Sequence, residues 1–140
     1  MIVLDTSVLW ALLDRRDAHH ADARAWYDGE TADLATTPLV LAEVDYFALR
    51  DGPATAQAFY RDVDAGAYAI EWWESAASDA AKVALRYADL GVGLADASLV
   101  ALAGRLETTR IATFDERHFR TVRPLSGEAF TLLPRDAPLA

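Results

Sequence analysis

The stretch Ile2-Val3-Leu4-Asp5-Thr6-Ser7 decides how this chain is read. Two β-branched residues and a leucine predict a short buried strand. The strand stops at a carboxylate, and Val8-Leu9-Trp10-Ala11-Leu12-Leu13 follows with the composition of a helix. Open α/β sheets bind their ligands outside the carboxyl ends of the strands, which is where Asp5 falls. The competing reading is that Asp5, Thr6 or Ser7 only caps the helix. The rest of the chain has to decide between them.

Working outward, short apolar runs alternate with longer helical patterns. Leu34–Thr37, Tyr68–Ile70, Arg110–Thr113 and Ala129–Leu133 are strand candidates. Helices are expected over Ala18–Tyr27, from Pro38 to about Arg50, over Ala54–Asp64, from Ala76 to about Leu90, and over Ala95–Leu106. Pro38 suits a first helical turn and Ser75 an N-cap, while Asp51-Gly52-Pro53 and Gly91-Val92-Gly93 are breakers. Strand–helix alternation predicts an α/β fold with a small parallel sheet flanked by helices on both faces. With 140 residues, 53% of them apolar, the chain reads as a single domain over 1–134 with a short, frayed C-terminal tail at 135–140.

Composition removes several function classes. No apolar run approaches the roughly 18 residues that span a bilayer, and no basic region precedes the first apolar residues, so neither a membrane anchor nor a signal peptide is expected. The absence of cysteine excludes disulfides, thiol catalysis and thiolate metal sites, and fits a cytoplasmic protein. A net charge of −9 runs against the basic footprint of a nucleic-acid binder. The cations, however, are arginines apart from Lys82, and six of them (Arg105, Arg110, Arg117, Arg120, Arg123, Arg135) fall in the last quarter of the chain.

Four acids stand in apolar company. Asp5 closes the first strand and Asp115 the fourth. Asp96 lies near a helix start in Gly93-Leu94-Ala95-Asp96-Ala97. Glu43 has Leu39, Val40, Tyr46 and Phe47 as its i±3 and i±4 neighbours, which predicts that it points into the apolar side of its helix. Each has a structural alternative, a cap for Asp96 and a turn for Asp115. Together, in a parallel sheet, they can converge on one rim. Carboxylates about 5 Å apart repel by roughly 3 kcal/mol per pair at an effective dielectric near 20. Such a cluster calls for raised pKa values or a cation, and oxygen donors without thiolates suit Mg²⁺ or Mn²⁺. Divalent metals on carboxylates are an established means of phosphodiester hydrolysis.

The pieces Val3-Leu4-Asp5-Thr6-Ser7, Leu41-Ala42-Glu43-Val44, Gly93-Leu94-Ala95-Asp96-Ala97 and Ala112-Thr113-Phe114-Asp115, in this order, resemble the PIN-domain ribonucleases, and among them the VapC toxins of toxin–antitoxin pairs. The resemblance covers essentially the whole chain. It implies a PIN-like three-layer fold, a Mg²⁺-dependent endoribonuclease activity in which Mn²⁺ can substitute, a cognate VapB-like antitoxin, a homodimer and a toxin–antitoxin hetero-oligomer. By position it makes Asp5 and Asp96 the principal metal ligands. Glu43 and Asp115 then complete the acidic pocket directly or through water, and Thr6, Ser7 and Thr113 support the ligands or the attacking water. One departure is visible: Glu116-Arg117-His118-Phe119 stands where many relatives carry a further acid, which leaves one metal as the expectation. An acidic pocket draws a basic partner, and Arg117 and Arg120 are the expected RNA contacts. The rival from another class is a catalytically inactive PIN scaffold that binds without turnover.

Other features read as structural. His19 and His20 are adjacent and diverge on a helix. His118 reads as a surface residue, and Trp72 and Trp73 as packing or dimer contacts rather than base-stacking platforms. A dehalogenase-type phosphatase needs a second Asp where Ser7 stands, and a response-regulator receiver needs a strand-end lysine, whereas Lys82 falls in a helix.

Overall fold

The computed structural model describes residues 1–138. Five strands, β1 (Ile2–Leu4), β2 (Leu34–Thr36), β3 (Ala69–Ile70), β4 (Arg110–Ala112) and β5 (Thr131–Leu133), form one sheet in the order β3-β2-β1-β4-β5. All pairings are parallel. Seven helices connect and cover it: α1 (Thr6–Leu13), α2 (His20–Gly29), α3 (Pro38–Asp51), α4 (Pro53–Asp64), α5 (Ala76–Arg86), α6 (Leu94–Arg105) and the single-turn α7 (Glu116–Phe119). Strands buried on both faces should be apolar at every position rather than at alternate ones. β1 obeys this, since Ile2, Val3 and Leu4 are all fully buried.

Chain order turns around at β1. From it the chain builds outward through β2 and β3, then returns to its other side for β4 and β5. The crevice at such a reversal is where open α/β sheets place ligands. Val3 pairs with Ile111 and Leu4 with Ala112, so the residues just past each strand, Asp5 and Thr113, emerge side by side.

The helix beneath this edge is unusual in pattern. Residues Ala97 through Ala103 of α6 are buried without interruption. A helix apolar all round belongs inside a protein, and α6 packs against β1, α3 and α5 together. Its first turn, carrying Asp96, is thereby held by the core. Most elements shift by one or a few residues at their ends, and some of the differences have a visible cause or form. α1 starts at Thr6 because Asp5 caps it. α5 ends at Arg86, and a separate 3₁₀ turn occupies Ala88–Leu90. Ser75 makes no cap, because its hydroxyl donates to Asp79 instead (2.9 Å). β5 is the short Thr131–Leu133, not a strand from Ala129.

The expected frayed tail is corrected in part. Asp136 accepts from the Leu132 amide (2.8 Å) and from both terminal nitrogens of Arg120 (2.6 and 2.7 Å), and Ala137 packs on the core. The rest of that tail, Leu139 and Ala140, lies outside the described residues. No helix among the described residues is long and apolar enough to cross a membrane.

Leu102 and Leu85 look alike in sequence but are 0% and 76% exposed. Leu102→Ala should cost about 2–5 kcal/mol, and Leu85→Ala should stay within about 0.5 kcal/mol of wild type. Urea denaturation of both variants checks the assignment of α6 as the core helix.

Candidate active site

The buried polar side chains among the described residues are Asp5, Thr36, Thr37, Ser98 and Thr113. All five follow or end β1, β2 or β4, or sit in the first half of α6. Buried polar atoms cost free energy unless partnered, and these partner one another. Thr37 and Ser98 hydroxyls lie 2.8 Å apart, and Ser98 donates to the Ala95 carbonyl (2.6 Å). The Thr36 hydroxyl donates to the Leu4 carbonyl (2.8 Å).

Asp5 is the centre of this layer, 3% exposed. Its Oδ1 accepts from the Thr6 amide (2.8 Å), and its Oδ2 from the hydroxyls of Thr113 (2.7 Å) and Ser7 (3.0 Å). Asp5 therefore caps α1 with one oxygen while being buried, so its role as a cap does not compete with a place in the cluster. Burial pushes its carboxyl above the ordinary range. The three hydrogen bonds pull the other way, and the nearby Asp115 adds to the rise. Ser7 extends the network, since its hydroxyl accepts from the Phe114 amide (2.9 Å), while Thr113 accepts from the Asp115 amide (2.9 Å).

Asp115 likewise caps α7, accepting from the His118 amide (3.2 Å). The turn swings His118 back over the site, where Nδ1 lies 3.1 Å from Asp96 Oδ2 and 3.2 Å from Asp115 Oδ2. Ligand atoms of Asp96, Asp115 and His118 all fall within 4.8 Å of one another, close enough to hold a metal ion. The surface reading of His118 is thus corrected. It faces two carboxylates, and the only signal in the sequence was its i+3 spacing from Asp115. Burial raises the Asp96 carboxyl to about 6, with repulsion from Asp5 and Asp115 adding to it and His118 opposing.

Glu43 stands differently. It is exposed, as are Tyr46 and Phe47 beside it. The expectation that it points into apolar surroundings is overturned: of its four apolar neighbours only Val40 is core, Leu39 is half-buried, and Tyr46 and Phe47 face solvent. Glu43 reaches the cluster through Thr6, whose hydroxyl donates to Oε1 (2.7 Å). The two arginines also part ways. Arg120 is engaged by Asp136 and Glu116, whereas Arg117 is exposed and enters no ion pair among the described residues. His19 stacks on Phe114 at 4.1 Å and the Nδ1 of His20 lies 2.6 Å from the Ala11 carbonyl, so they form no metal pair.

Among the described residues, no Lys or Arg lies within 4.0 Å of a carboxylate oxygen of Asp5, Asp96 or Asp115; their one basic neighbour is His118. A set of mutually repelling carboxylates with one imidazole and no fixed cation fits a divalent metal by its donor chemistry.

A family model described as PIN domain matches residues 2–124. The chain belongs to the PIN-domain family. Ribonuclease VapC26 of Mycobacterium tuberculosis (strain ATCC 25618 / H37Rv) is 36% identical over 135 residues, which cover 95% of this PIN domain and 100% of that relative. Solved structures agree in fold. M. tuberculosis VapC20, a sarcin-ricin loop cleaving toxin, superposes with a TM-score of 0.76 at 22% identity, covering 82% of this chain and 90% of its own. FitAcB from Neisseria gonorrhoeae gives 0.65 at 20%, over 94% of this chain and 97% of that one. VapBC2 from Rickettsia felis, bound to a DNA fragment from their promoter, gives 0.61 at 15%, over 94% and 98%.

The Asp96 shift sets a pH test for the metal-free PIN domain. A carboxyl whose pKa is higher folded (about 6) than unfolded (ordinarily 3.8) takes up protons on folding between those values. Its destabilising effect is therefore absent toward pH 4 and complete above pH 6. Asp96→Asn should raise the Tm at pH 7 in EDTA, with the difference vanishing as the pH is lowered to 4. Calorimetric melts across that range check it.

Proposed function

We propose that this chain is a metal-dependent endoribonuclease, the toxic component of a VapBC-type module, acting in the cytoplasm through one domain that spans 1–134. The observation that carries this reading is the clustering of buried Asp5 with Asp96 and Asp115 at the β1/β4 reversal without a Lys or Arg to neutralise them. The 36% identity to a protein named a ribonuclease supports the activity.

Asp5 and Asp96 are assigned as the principal ligands of Mg²⁺, for which Mn²⁺ can substitute. Asp115 joins them directly or through water, and Glu43 through its link to Thr6. A divalent ion bound there supplies Lewis-acid stabilisation of a phosphodiester and activation of water. The chain's own residues do the positioning. Thr113, Ser7 and the Thr6 amide fix both oxygens of Asp5 and leave Oδ1 with acceptor capacity for a cation. The buried body of α6 holds Asp96 in place, and α7 presents His118 between Asp96 and Asp115. Arg117, which enters no ion pair among the described residues, is assigned to a backbone phosphate; Arg120, already paired, is the weaker candidate. Unpaired RNA loops are the suitable substrate class, since single strands can be splayed and stacked. The partners are a VapB-like antitoxin, whose basic segment would be drawn to the acidic crevice, and a second copy of the chain in a homodimer and toxin–antitoxin hetero-oligomer.

Incubation of antitoxin-free protein with total bacterial RNA and Mg²⁺ should give discrete fragments that disappear with EDTA and in Asp5→Asn. A folded protein that binds Mg²⁺ but leaves RNA intact in both Mg²⁺ and Mn²⁺ would instead be an inactive binding scaffold.

His118 makes a finer expectation. An imidazole nitrogen favours Mn²⁺ over Mg²⁺, which prefers oxygen. At equal concentration Mn²⁺ should raise the Tm more than Mg²⁺ through binding to the native state, and His118→Ala should narrow that gap. Equal shifts in wild type would remove His118 from the ligand set.

A further inference from the structure

Away from the acid cluster, α5, the later part of α6 and the segment 123–125 enclose a cleft of about 460 Å³, within the range of roughly 300–1,000 Å³ that ligand sites occupy. Lys82, Arg86, Arg105 and Arg123 line it. Among the described residues none of these four enters an ion pair, whereas Arg16, Arg24, Arg110, Arg120 and Arg135 all do. The one acid in the lining, Asp79, is held by the Trp73 indole N–H and the Ser75 hydroxyl, both at 2.9 Å. In a chain of net charge −9, four unpaired cations around one concavity mark an anion site.

The walls narrow the ligand class. Trp73 and Tyr87 both line the cleft, and both are fixed. Arg105 sits 5.1 Å over the Trp73 ring, and the Tyr87 hydroxyl accepts from the Arg123 amide (3.1 Å). Cations beside immobilised rings suit a phosphate joined to a base, the combination that single-stranded nucleic acid presents. An acidic peptide would use the cations but has no need of the rings. A second copy docked by two-fold symmetry on this face would set the cations against their own image.

Two elements link the cleft to the acid cluster. Asp96 opens α6 and Arg105 closes it, about 14 Å further along the axis. α7 presents His118, and the chain leaving it supplies Arg123. We propose that this cleft is an RNA-docking site, holding a nucleotide of the substrate strand outside the bond that is cut. The inference rests on the ribonuclease reading above and adds the surface on which an acidic protein retains RNA.

The test compares two charge-matched pairs in an Asp96→Asn background, so that bound RNA survives. The probe is a fluorescein-labelled 15-nucleotide single-stranded RNA followed by anisotropy at several salt concentrations. Lys82→Gln with Arg86→Gln should weaken binding about tenfold and make the salt dependence shallower by about one phosphate contact or more. Arg15→Gln with Arg61→Gln removes the same charge from outside the cleft and should change neither. Equal behaviour of the two pairs would overturn the docking site. So would a changed sedimentation coefficient in the Lys82/Arg86 pair, which would make the cleft an interface between copies. RNA cleavage by the Asp96-containing protein separates the levels: if it persists while the pairs bind alike, only the docking site falls, and if cleavage and binding are both absent, the ribonuclease reading falls with it.

Discussion

A carboxylate buried at the end of the central strand is the constraint on which the rest of this structure depends. Asp5 is nearly solvent-free, yet both its oxygens are satisfied by a backbone amide and two hydroxyls. Those donors come from two places in the chain, Thr6 and Ser7 beside it and Thr113 more than a hundred residues away. The β1–β4 register brings them together, with the Asp5 amide donating to the Ala112 carbonyl at 3.0 Å. A one-residue slip between parallel strands would turn Thr113 away and leave a charge buried without partners, which is far costlier than the loss of one hydrogen bond. The site and the sheet therefore specify each other.

The same arrangement holds unfavourable charge in place. Charge repulsion between Asp5 and both Asp96 and Asp115 adds to the burial that raises the Asp5 and Asp96 carboxyls, and among the described residues His118 is the one basic group beside Asp96 and Asp115. Such repulsion persists only where the surroundings over-determine the geometry. Here α6 does so, because the turn that carries Asp96 leads directly into a middle, Ala97 to Ala103, that is sealed in the core. Rigid support under mutually repelling carboxylates is what a divalent-cation site requires. Elsewhere the surface separates its charges, with the unpaired cations of the α5–α6 cleft standing apart from the acidic crevice.

Much of the fold could be read directly. The apolar β1 with its terminal acid, the breakers at 51–53 and 91–93, and the alternation of strands and helices point to the parallel sheet that forms. Element ends were harder, because capping is a property of geometry: Ser75 has the right chemistry for an N-cap but its hydroxyl finds Asp79. Asp5 and Asp115 both cap the helix that follows them, and capping leaves each a second oxygen turned to other partners. A carboxylate has two oxygens, and one can cap while the other faces the crevice.

What the sequence by itself determined is the local chemistry: an apolar, buried β1, the alternation of strands and helices, and acids that follow β1 and β4. What only the tertiary structure decided is which side of an apolar stripe meets solvent and which distant groups meet each other. Glu43 shares helical spacing with apolar neighbours, but periodicity cannot distinguish a core stripe from an exposed patch, and Tyr46 and Phe47 prove to be outside. His118 and Arg120 sit two residues apart on one short turn, yet one faces two site carboxylates and the other is taken up by Asp136. Those outcomes depend on contacts across the chain, and no local pattern encodes them.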